Sequence, residues 1–518
     1  MKRLLFIICI LFMLVGCEKK AIALPYSLHK LKEDGTYEIM GPLNESLYET
    51  MFNRMSWYFF ESPDKKPITS IAPYAFKYGE ELIYNHKYRS NELVIPEGIT
   101  EIKDGAFEGC SFLGLIIIPE SVTTMGDDVF KGCGEAIIYV EAESKPVGWS
   151  ESWNPDNNLV IWGNPNDEKE MFHYGITSND EVAILKLNKK FYTSTINIPE
   201  EINGKKVTIL FGDVFKDNKR KKNISKIIIP SSITFFGAKA FNEMSNLYEV
   251  EFTGESNLIS IGEKAFYDCK KLEKILIPGS VEYIGQYAFT GCAFRNIKIP
   301  EGVKVIDSVA FSECASATSV EISSTVIDIA GGNVFNNCYQ LNTIEVASAN
   351  PIYRSESNCL IETSANTLIR GCNTSIIPDG ITTIGSCAFK GCKNLVTITI
   401  PSSVTKIDSG AFGYCYDLVS ITIPESVISI ENGAFSFCKE LNEVIISSGV
   451  EKIGDRAFMV CSDLVSIIIP SSVEKIGERA FSSCKKIKIY CETDSKPEGW
   501  HRNWNFENRP VVWGYTGE

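Results

Sequence analysis

Short alternations of apolar and polar residues recur along most of this chain. In the segment Leu418–Phe435, the residues Ile421–Ile423 alternate with the period of two that a half-buried β-strand requires. Pro424 follows and has no backbone N–H to donate, so the strand should end there. A second apolar pair, Val427 and Ile430, predicts a return path, and the final Ala-Phe pair directs an aromatic ring back to the interior.

The same unit recurs every 23 residues towards the end of the chain. A fixed period of this length indicates a solenoid, in which each unit stacks on its neighbours because it cannot bury its apolar face alone. A unit this short fits a strand with a tight turn or 3₁₀ return. The sequence therefore predicts leucine-rich repeats with a parallel β-sheet, and two buried columns, at Phe389, Phe412, Phe435, Phe458 and Phe481 and at Cys392, Cys415, Cys438, Cys461 and Cys484.

A tryptophan-rich segment occurs twice, each time where regular repeats stop. The last coil of a solenoid leaves an open apolar face that a terminal unit must cover, and tryptophan supplies the most apolar area per residue. We therefore expect two structural caps; a carbohydrate-binding tryptophan pair is the alternative. The residues concerned are Trp149, Trp153 and Trp162 in the first copy and Trp500, Trp504 and Trp513 in the second.

These caps divide the chain into two predicted modules, residues 17–163 and 172–518, joined by a polar linker at 164–171. The second module is expected to open with a hairpin that pairs Glu181–Leu185 with Thr195–Ile198. A further hairpin is predicted as an insert near 347–373, where the period breaks. It brings together Cys359 and Cys372, which could form a disulfide worth about 3 kcal/mol through loop closure.

The first residues of the chain are predicted to be an export signal. Lys2 and Arg3 precede the apolar run Leu4–Val15, which is too short to span a bilayer, and Cys17 follows. Residues 1–16 are predicted to be a lipoprotein signal peptide, because the sequence before Cys17 resembles a bacterial lipobox. Lipid on Cys17 would hold the exported protein at a membrane surface. An ordinary signal peptide with an incidental cysteine is the alternative.

Composition narrows the range of partners. The net charge of −14 makes nucleic acid and anionic lipid surfaces poor partners.

Most of the 17 cysteines stand at equivalent positions of the repeats, where a small apolar side chain suits close stacking, so we expect free buried thiols. Disulfides between neighbouring copies are the alternative. The four histidines are scattered and no CxxC pair exists, so no metal or cofactor is predicted.

Three features together resemble the BspA-like leucine-rich repeat family of bacterial surface proteins. They are the unit L-x-x-I-x-I-P-x-S-V-x-x-I-G-x-x-A-F-x-x-C, the insert N-P-I-Y-R-S…N-C-L-I-E-T…L-I-R-G-C, and the cap K-P-x-G-W-x-x-x-W-N. The resemblance covers nearly everything after residue 65. It implies a protein of the cell surface or outer membrane that mediates adhesion or binds host or extracellular-matrix proteins such as fibronectin.

The outward face of the sheet is the predicted binding site. Strand alternation directs one residue of each strand outwards, and the last repeats have identical length, so we expect the flattest and most continuous sheet there. A contiguous apolar strip favours binding of a protein, whereas a merely solvated β face is the alternative. The outward column is Thr399, Thr422, Ile445 and Ile468, preceded by Leu276, Lys298, Glu321 and Glu345 and followed by Lys488.

Two other function classes compete with binding. A passive spacer or surface-coat protein has the same sequence signature, and only its lack of a partner would separate it from an adhesin. An enzyme is disfavoured, because the chain contains no HExxH motif, no nucleophile elbow and no glycine-rich phosphate loop, and a buried thiol is inert. We therefore predict a non-enzymatic binding protein.

The export prediction can be tested by Cys17→Ser. Without the thiol no lipid can be attached, so the variant should accumulate as unlipidated precursor or leave the membrane fraction. Detergent partitioning of the parent and variant measures this. Identical partitioning of the two would contradict lipid anchoring.

Overall fold

The structure is a computed structural model that describes residues 27–34, 36–42, 67–77, 91–111, 113–134, 136–163, 171–188, 193–216, 218–219 and 221–517. The predicted signal peptide, Cys17 and all of the predicted linker except Met171 lie outside these ranges. Within them no helix has the length and hydropathy needed to cross a bilayer.

Within the described ranges the chain forms 39 β-strands and two short 3₁₀ helices, Lys221–Asn223 and Gly332–Phe335. The N-terminal strands are β1 (Ser27–Leu31), β2 (Tyr37–Pro42), β3 (Ile68–Ile71), β4 (Asn91–Val94), β5 (Glu101–Ile102), β6 (Leu113–Ile118), β7 (Thr124–Met125), β8 (Ile137–Val140), β9 (Gly148–Trp149) and β10 (Val160–Trp162). The central strands are β11 (Phe172–Thr177), β12 (Val182–Leu187), β13 (Thr195–Asn197), β14 (Glu201–Ile202), β15 (Lys205–Leu210), β16 (Lys226–Ile229), β17 (Phe235–Phe236), β18 (Glu249–Phe252), β19 (Ser260–Ile261), β20 (Lys274–Ile275), β21 (Tyr283–Ile284), β22 (Asn296–Ile299), β23 (Val305–Ile306), β24 (Ser319–Ile322), β25 (Asp328–Ile329) and β26 (Thr343–Val346). The C-terminal strands are β27 (Tyr353–Glu356), β28 (Cys359–Glu362), β29 (Thr367–Arg370), β30 (Thr383–Ile384), β31 (Lys406–Ile407), β32 (Ser420–Ile423), β33 (Ser429–Ile430), β34 (Glu443–Ile446), β35 (Lys452–Ile453), β36 (Ser466–Ile469), β37 (Lys475–Ile476), β38 (Lys488–Cys491) and β39 (Val511–Trp513).

The predicted leucine-rich repeat solenoid is confirmed. Most regular repeats contribute one strand before the turn, often followed by a proline, and a two-residue strand on the return path, and equivalent strands pair in parallel. Within each stretch of repeats the first kind forms the long-strand side, and the 13-stranded sheet passes from this side at β10 to the short-strand side at β15. The long-strand side comprises β4, β6, β8, β10, β13, β16, β18, β20, β22, β24, β26, β32, β34, β36, β38 and β39. The second kind forms the short-strand side, which comprises β3, β5, β7, β9, β15, β17, β19, β21, β23, β25, β30, β31, β33, β35 and β37.

The phenylalanine and cysteine columns lie between these two sides, fully buried. From Phe389 to Phe481 consecutive rings have centroids 5.0 to 5.7 Å apart and planes within 6° of parallel. Each cysteine of this column after Cys392 also donates its thiol to the carbonyl oxygen of the phenylalanine one repeat earlier, as Cys438 does to Phe412 at 3.1 Å. The described cysteines are all free thiols. Cysteine is thus small enough to stack and polar enough to pair a buried carbonyl.

The buried apolar residues form three clusters: the first core between Ile39 and Val160, the second between Ile137 and Cys372, and the third between Cys359 and Trp504. The first two interleave, because successive residues of β8 and β10 face opposite sides of their sheet. In addition, β10 pairs with β11 across the predicted linker, within one sheet of 13 strands. The two predicted modules are therefore joined by a continuous sheet.

The predicted hairpin at the start of the second module is wrong in its pairing. The strand β12 pairs antiparallel with β11, which precedes it, whereas β13 pairs in parallel with β16. The reason is that Ile196 and Ile198, followed by Pro199, repeat the pattern of a long-side strand. This segment is therefore the first coil of the repeats, and the hairpin lies before it.

The insert near 347–373 forms an antiparallel meander of β27, β28 and β29, one strand more than the predicted hairpin. The proposed disulfide is corrected, since Cys359 and Cys372 are both free. A bulge between Leu360 and Ile361 shifts the register of β28 against β29. Cys359 packs in the third core and Cys372 in the second.

The two tryptophan-rich segments have matching geometry. Trp149 donates its indole N–H to the Val122 carbonyl oxygen at 3.0 Å, and Trp500 donates to that of Val473 at 2.9 Å. In the second segment, Trp504 meets the last ring of the phenylalanine column edge-on, with centroids 6.1 Å apart. In the first segment Trp153 meets the Phe130 ring edge-on, with centroids 6.0 Å apart. Trp162 packs against Trp153, and Trp513 packs against Trp504 in the second segment. Both segments thus cover the end of a ring column.

We expect Trp504→Ala to destabilise the third core by about 3–5 kcal/mol, the usual cost of truncating a buried aromatic side chain. Hydrogen exchange followed by mass spectrometry measures the effect locally. Amides of β33, β35 and β37 should lose protection, while those of β5 and β7, which lie in the first core, should keep theirs. Equal loss in all five strands would contradict separate cores.

Candidate binding surface

The outward residues of the long-strand side are the predicted site. In β32, Ile421 and Ile423 point into the third core, so Thr422 between them is exposed. The same burial pattern repeats in β34 and β36, although only β32 and β36 are followed by a proline. The alternation is fixed by the core, since a one-residue shift would expose both isoleucines.

All four predicted residues are exposed. Thr422 lies directly opposite Ile445 in the parallel pair of β32 and β34. The side chains of Ile445 and Ile468 are 49% and 42% exposed, high values for isoleucine in a strand. Thr399 lies outside the strands, in a segment whose one bridge in the structure joins Thr397 to Ser420.

The expectation of an uninterrupted sheet at this site is wrong. Residues 221–517 are described without a gap, and in them the long-strand side divides into β32–β34 and β36–β38–β39. The short-strand side is continuous here from β30 to β37. The short strands therefore hold these repeats in line, and the long-strand side presents two adjacent segments.

The end of the column also differs from the prediction. Tyr490, and not Lys488, lies opposite Ile468 in the register of β36 and β38. The turn from Cys484 to the strand is one residue shorter than in the preceding repeat, which a comparison of Cys461 to Ile467 with Cys484 to Ile489 would have revealed. The Tyr490 ring packs on Tyr515 with centroids 4.8 Å apart. Lys488 places its ammonium 4.9 Å from the centroid of the Tyr490 ring.

These residues define a terminal strip, consisting of Ile445, Ile468, Tyr490 and Tyr515. It is predominantly apolar, whereas the corresponding column over the second core carries charges. There Lys298 forms an ion pair with Glu321 at 3.7 Å, and Glu321 lies opposite Glu345. The two parts of the long-strand side would consequently favour different partner surfaces.

A groove that the sequence did not indicate opens between β20 and β22. Within the gap-free range 221–517 no ladder joins these two strands, and the space has a volume of about 1050 Å³. Leu276 lies beside it, 84% exposed. Phe294 occupies the position that Leu272 holds one repeat earlier, and it packs edge-on against Phe289. The repeat at β20 fits the general pattern, so its sequence gave no sign of the missing pairing.

The remaining candidates for reactive or metal-binding chemistry are the cysteines and the histidine and carboxylate side chains. Burial raises the pKa of the Cys438 thiol to about 12, so this column cysteine stays protonated and unreactive at neutral pH. Across the described residues, no three side chains of His, Cys, Asp or Glu come together as potential metal ligands.

The sequence matches a family model described as BspA type leucine rich repeat region. The matched segments are residues 69–148, 186–292, 213–341, 259–374 and 361–488, which overlap and together cover more than half of the chain. None of the curated proteins matches the chain.

Two solved structures are among those similar to this one. A leucine rich cell surface protein from Faecalibacterium prausnitzii is 28% identical with a TM-score of 0.50, and the match covers 68% of this chain and 98% of that one. A leucine-rich repeat protein from Eubacterium ventriosum is 21% identical with a TM-score of 0.50, over 70% of this chain and 97% of that one. The second likeness concerns the fold alone.

Proposed function

This chain belongs to the BspA-type leucine-rich repeat family, and on that premise we propose that it is a cell-surface protein that binds another protein through the terminal strip. The partner is an extracellular or host protein, and the binding is adhesive and not catalytic. The similar protein from Faecalibacterium prausnitzii, described as a cell surface protein, supports this location.

The observation that carries the proposal is the exposure of apolar side chains on a strand surface. Ile445 and Ile468 are about half exposed, and Tyr490 and Tyr515 continue the same strip with aromatic rings. Apolar side chains in contiguous patches mark interaction sites, and tyrosine is enriched among the residues that dominate binding energy. A partner that covers this strip gains about 25 cal/mol per Å² of apolar area removed from water.

The apolar character of the strip predicts how binding responds to salt. Screening by ions weakens attraction between exposed charges but leaves apolar burial nearly unchanged. Binding through the terminal strip should therefore depend weakly on ionic strength. Binding through the charged column over the second core would depend on it strongly.

Lipid on Cys17 is the proposed anchor, with the solenoid displayed from a membrane surface. The alternative function is a passive spacer or coat protein that has the same anchor and fold but no partner. The two are distinguished by binding measurements on purified proteins.

The test places lysine at both Ile445 and Ile468, since charges there must lose water when a partner covers the strip. Binding to a panel of purified extracellular-matrix proteins, fibronectin among them, is measured by surface plasmon resonance. We expect the parent to bind at least one member and the double variant to bind it at least tenfold more weakly.

A matched control carries lysine at Ile327 and Ile428, which are 52% and 50% exposed but lie next to the short-strand side. This control should bind as the parent does. Equal binding by the Ile445 and Ile468 variant would place the site elsewhere, for instance on the insert at 350–371. A parent that binds no member would favour the passive coat.

A further inference from the structure

The joint between the first and second cores is built from two parts that the chain carries again at its described ends. At this joint β10 pairs antiparallel with β11, which places Ile161 opposite Thr177 and Trp162 opposite Ile176. The strand β10 ends the first tryptophan-rich segment, and β11 is the outer strand of the hairpin that starts the next repeats. The joint is thus a cap strand paired with a hairpin strand.

The N-terminal hairpin β1–β2 has the same backbone plan as β11–β12. Both contain a bulge at the same place, between Leu28 and His29 in one and between His173 and Tyr174 in the other. Both close with a 2.8 Å hydrogen bond across the turn, from Lys32 N to Thr36 O and from Thr177 N to Glu181 O.

The correspondence extends to the next strand. The strand β2 pairs in parallel with β3 as β12 does with β15, again with a register shift one residue into the ladder. The following residues, Ala72 and Phe211, each donate a 2.8 Å bond back to the hairpin. By this register Lys32 corresponds to Thr177, and Leu31 corresponds to Ile176.

At the other end, β39 has the plan of β10. It pairs in parallel with β38 as β10 does with β8, so Val512 corresponds to Ile161 and Trp513 to Trp162. Because Ile489 N donates to Pro510 O, alternation directs the backbone N–H and C=O groups of Val511 and Trp513 to the outer edge. In the described part of the chain no strand pairs with this edge or with that of β1.

Side-chain burial differs between β10, whose outer edge is paired, and β39, whose outer edge is open. Ile161 is fully buried, because the hairpin and the repeats behind it cover β10. Val512, at the same place in β39, is only half-buried. An open edge of this kind pairs readily with a strand of another chain.

We propose that copies of this chain associate head to tail, with β1 of one copy added antiparallel to β39 of the next, as β11 is added to β10 within the chain. The register of the internal joint then places Lys32 opposite Val512 and Leu31 opposite Trp513. The contact joins two different surfaces of the molecule, so each copy can take part in two such contacts and the copies assemble head to tail.

The neighbouring residues are compatible with this joint. Within the chain Tyr139 is covered by Phe211 of the following repeats, with ring centroids 5.1 Å apart. At the C-terminal end the corresponding Tyr490 is covered by Tyr515 of its own copy. The docking copy carries Ala72 where Phe211 stands, so the smaller side chain leaves room for Tyr515. In a head-to-tail assembly the docked copy therefore covers Tyr490 and Tyr515, and the whole terminal strip is presented to other partners only by a copy whose β39 edge is free.

Lys32 is also suited to its place. Its ammonium donates to the Thr69 hydroxyl at 3.3 Å and lies 3.7 Å from an Asp34 carboxylate oxygen. The charge is therefore held beside the hairpin, and the aliphatic stem is the part that can contact Val512.

Disulfide trapping tests the register. Lys32→Cys and Val512→Cys are placed in separate chains that begin at Glu18 and carry Cys387→Ser, since Cys387 is the only described thiol that is not buried. Facing residues in an antiparallel pair have Cα atoms close enough for a disulfide. With oxidised glutathione, the mixture should give a covalent dimer on a non-reducing gel.

Two control cysteine pairs show whether disulfide formation depends on the proposed register. Glu33→Cys mixed with Val512→Cys should give little dimer, because Glu33 lies in the turn after β1, one residue beyond the facing position. Ile161→Cys with Thr177→Cys in one chain should close within the chain, which checks the reference geometry. A Lys32 and Val512 mixture that yields no more dimer than the Glu33 control, or than either variant alone, would overturn the proposal.

A second measurement needs no added cysteine. In sedimentation velocity the chain from Glu18 onward should show a mass that rises with concentration. Val511→Pro removes a backbone N–H from the open edge, a position where proline is tolerated, and should raise the dissociation constant about tenfold. A parent that stays monomeric throughout the series, or a folded variant that associates equally well, would overturn the proposal.

Discussion

The buried column of phenylalanine rings and cysteine thiols is the interaction on which the rest of this solenoid depends. A coil of about 23 residues encloses too little apolar area to fold alone, so each coil is stable only against its neighbours. Parallel rings stack from coil to coil, and the thiol-to-carbonyl bond, such as that from Cys461 to Phe435 at 3.2 Å, gives a buried carbonyl oxygen a second donor beside the Cys438 N–H. The outward positions are then free to vary, because they contribute nothing to this column.

Because each coil is stable only against its neighbours, the end coils need another element to cover their apolar side chains and open backbone groups. Trp504 covers the last ring, while β39 leaves backbone groups open at its edge. Inside the chain this difficulty is met by pairing β10 with β11, which makes the first tryptophan-rich segment a joint between two stretches of repeats and not a terminus. One architectural element thus serves two purposes, depending on whether a hairpin follows it.

The sequence predicted the features that follow from the 23-residue repeat period. The burial of Phe412 and Cys438 and the outward direction of Ile445 follow from local alternation and spacing, and each is found as expected. What it could not predict depends on which edges meet and on single-residue shifts. A bulge beside Leu360 shifts β28 against β29, one missing residue brings Tyr490 in place of Lys488, and the pairing of β10 with β11 joins residues across a segment that reads as a linker. Such features are set by tertiary hydrogen bonding, which leaves no periodic trace.

Hydroxyl-radical footprinting with a bound partner tests the central claim most directly, namely that this protein recognises others through the terminal strip. The method reads the solvent exposure of individual side chains, and aromatic and aliphatic residues are suitable probes. The account predicts that Ile468, Tyr490 and Tyr515 become protected when a partner binds, while Ile428 keeps its reactivity. Unchanged reactivity of the strip, with protection of Leu276 at the groove or of the insert instead, would contradict it.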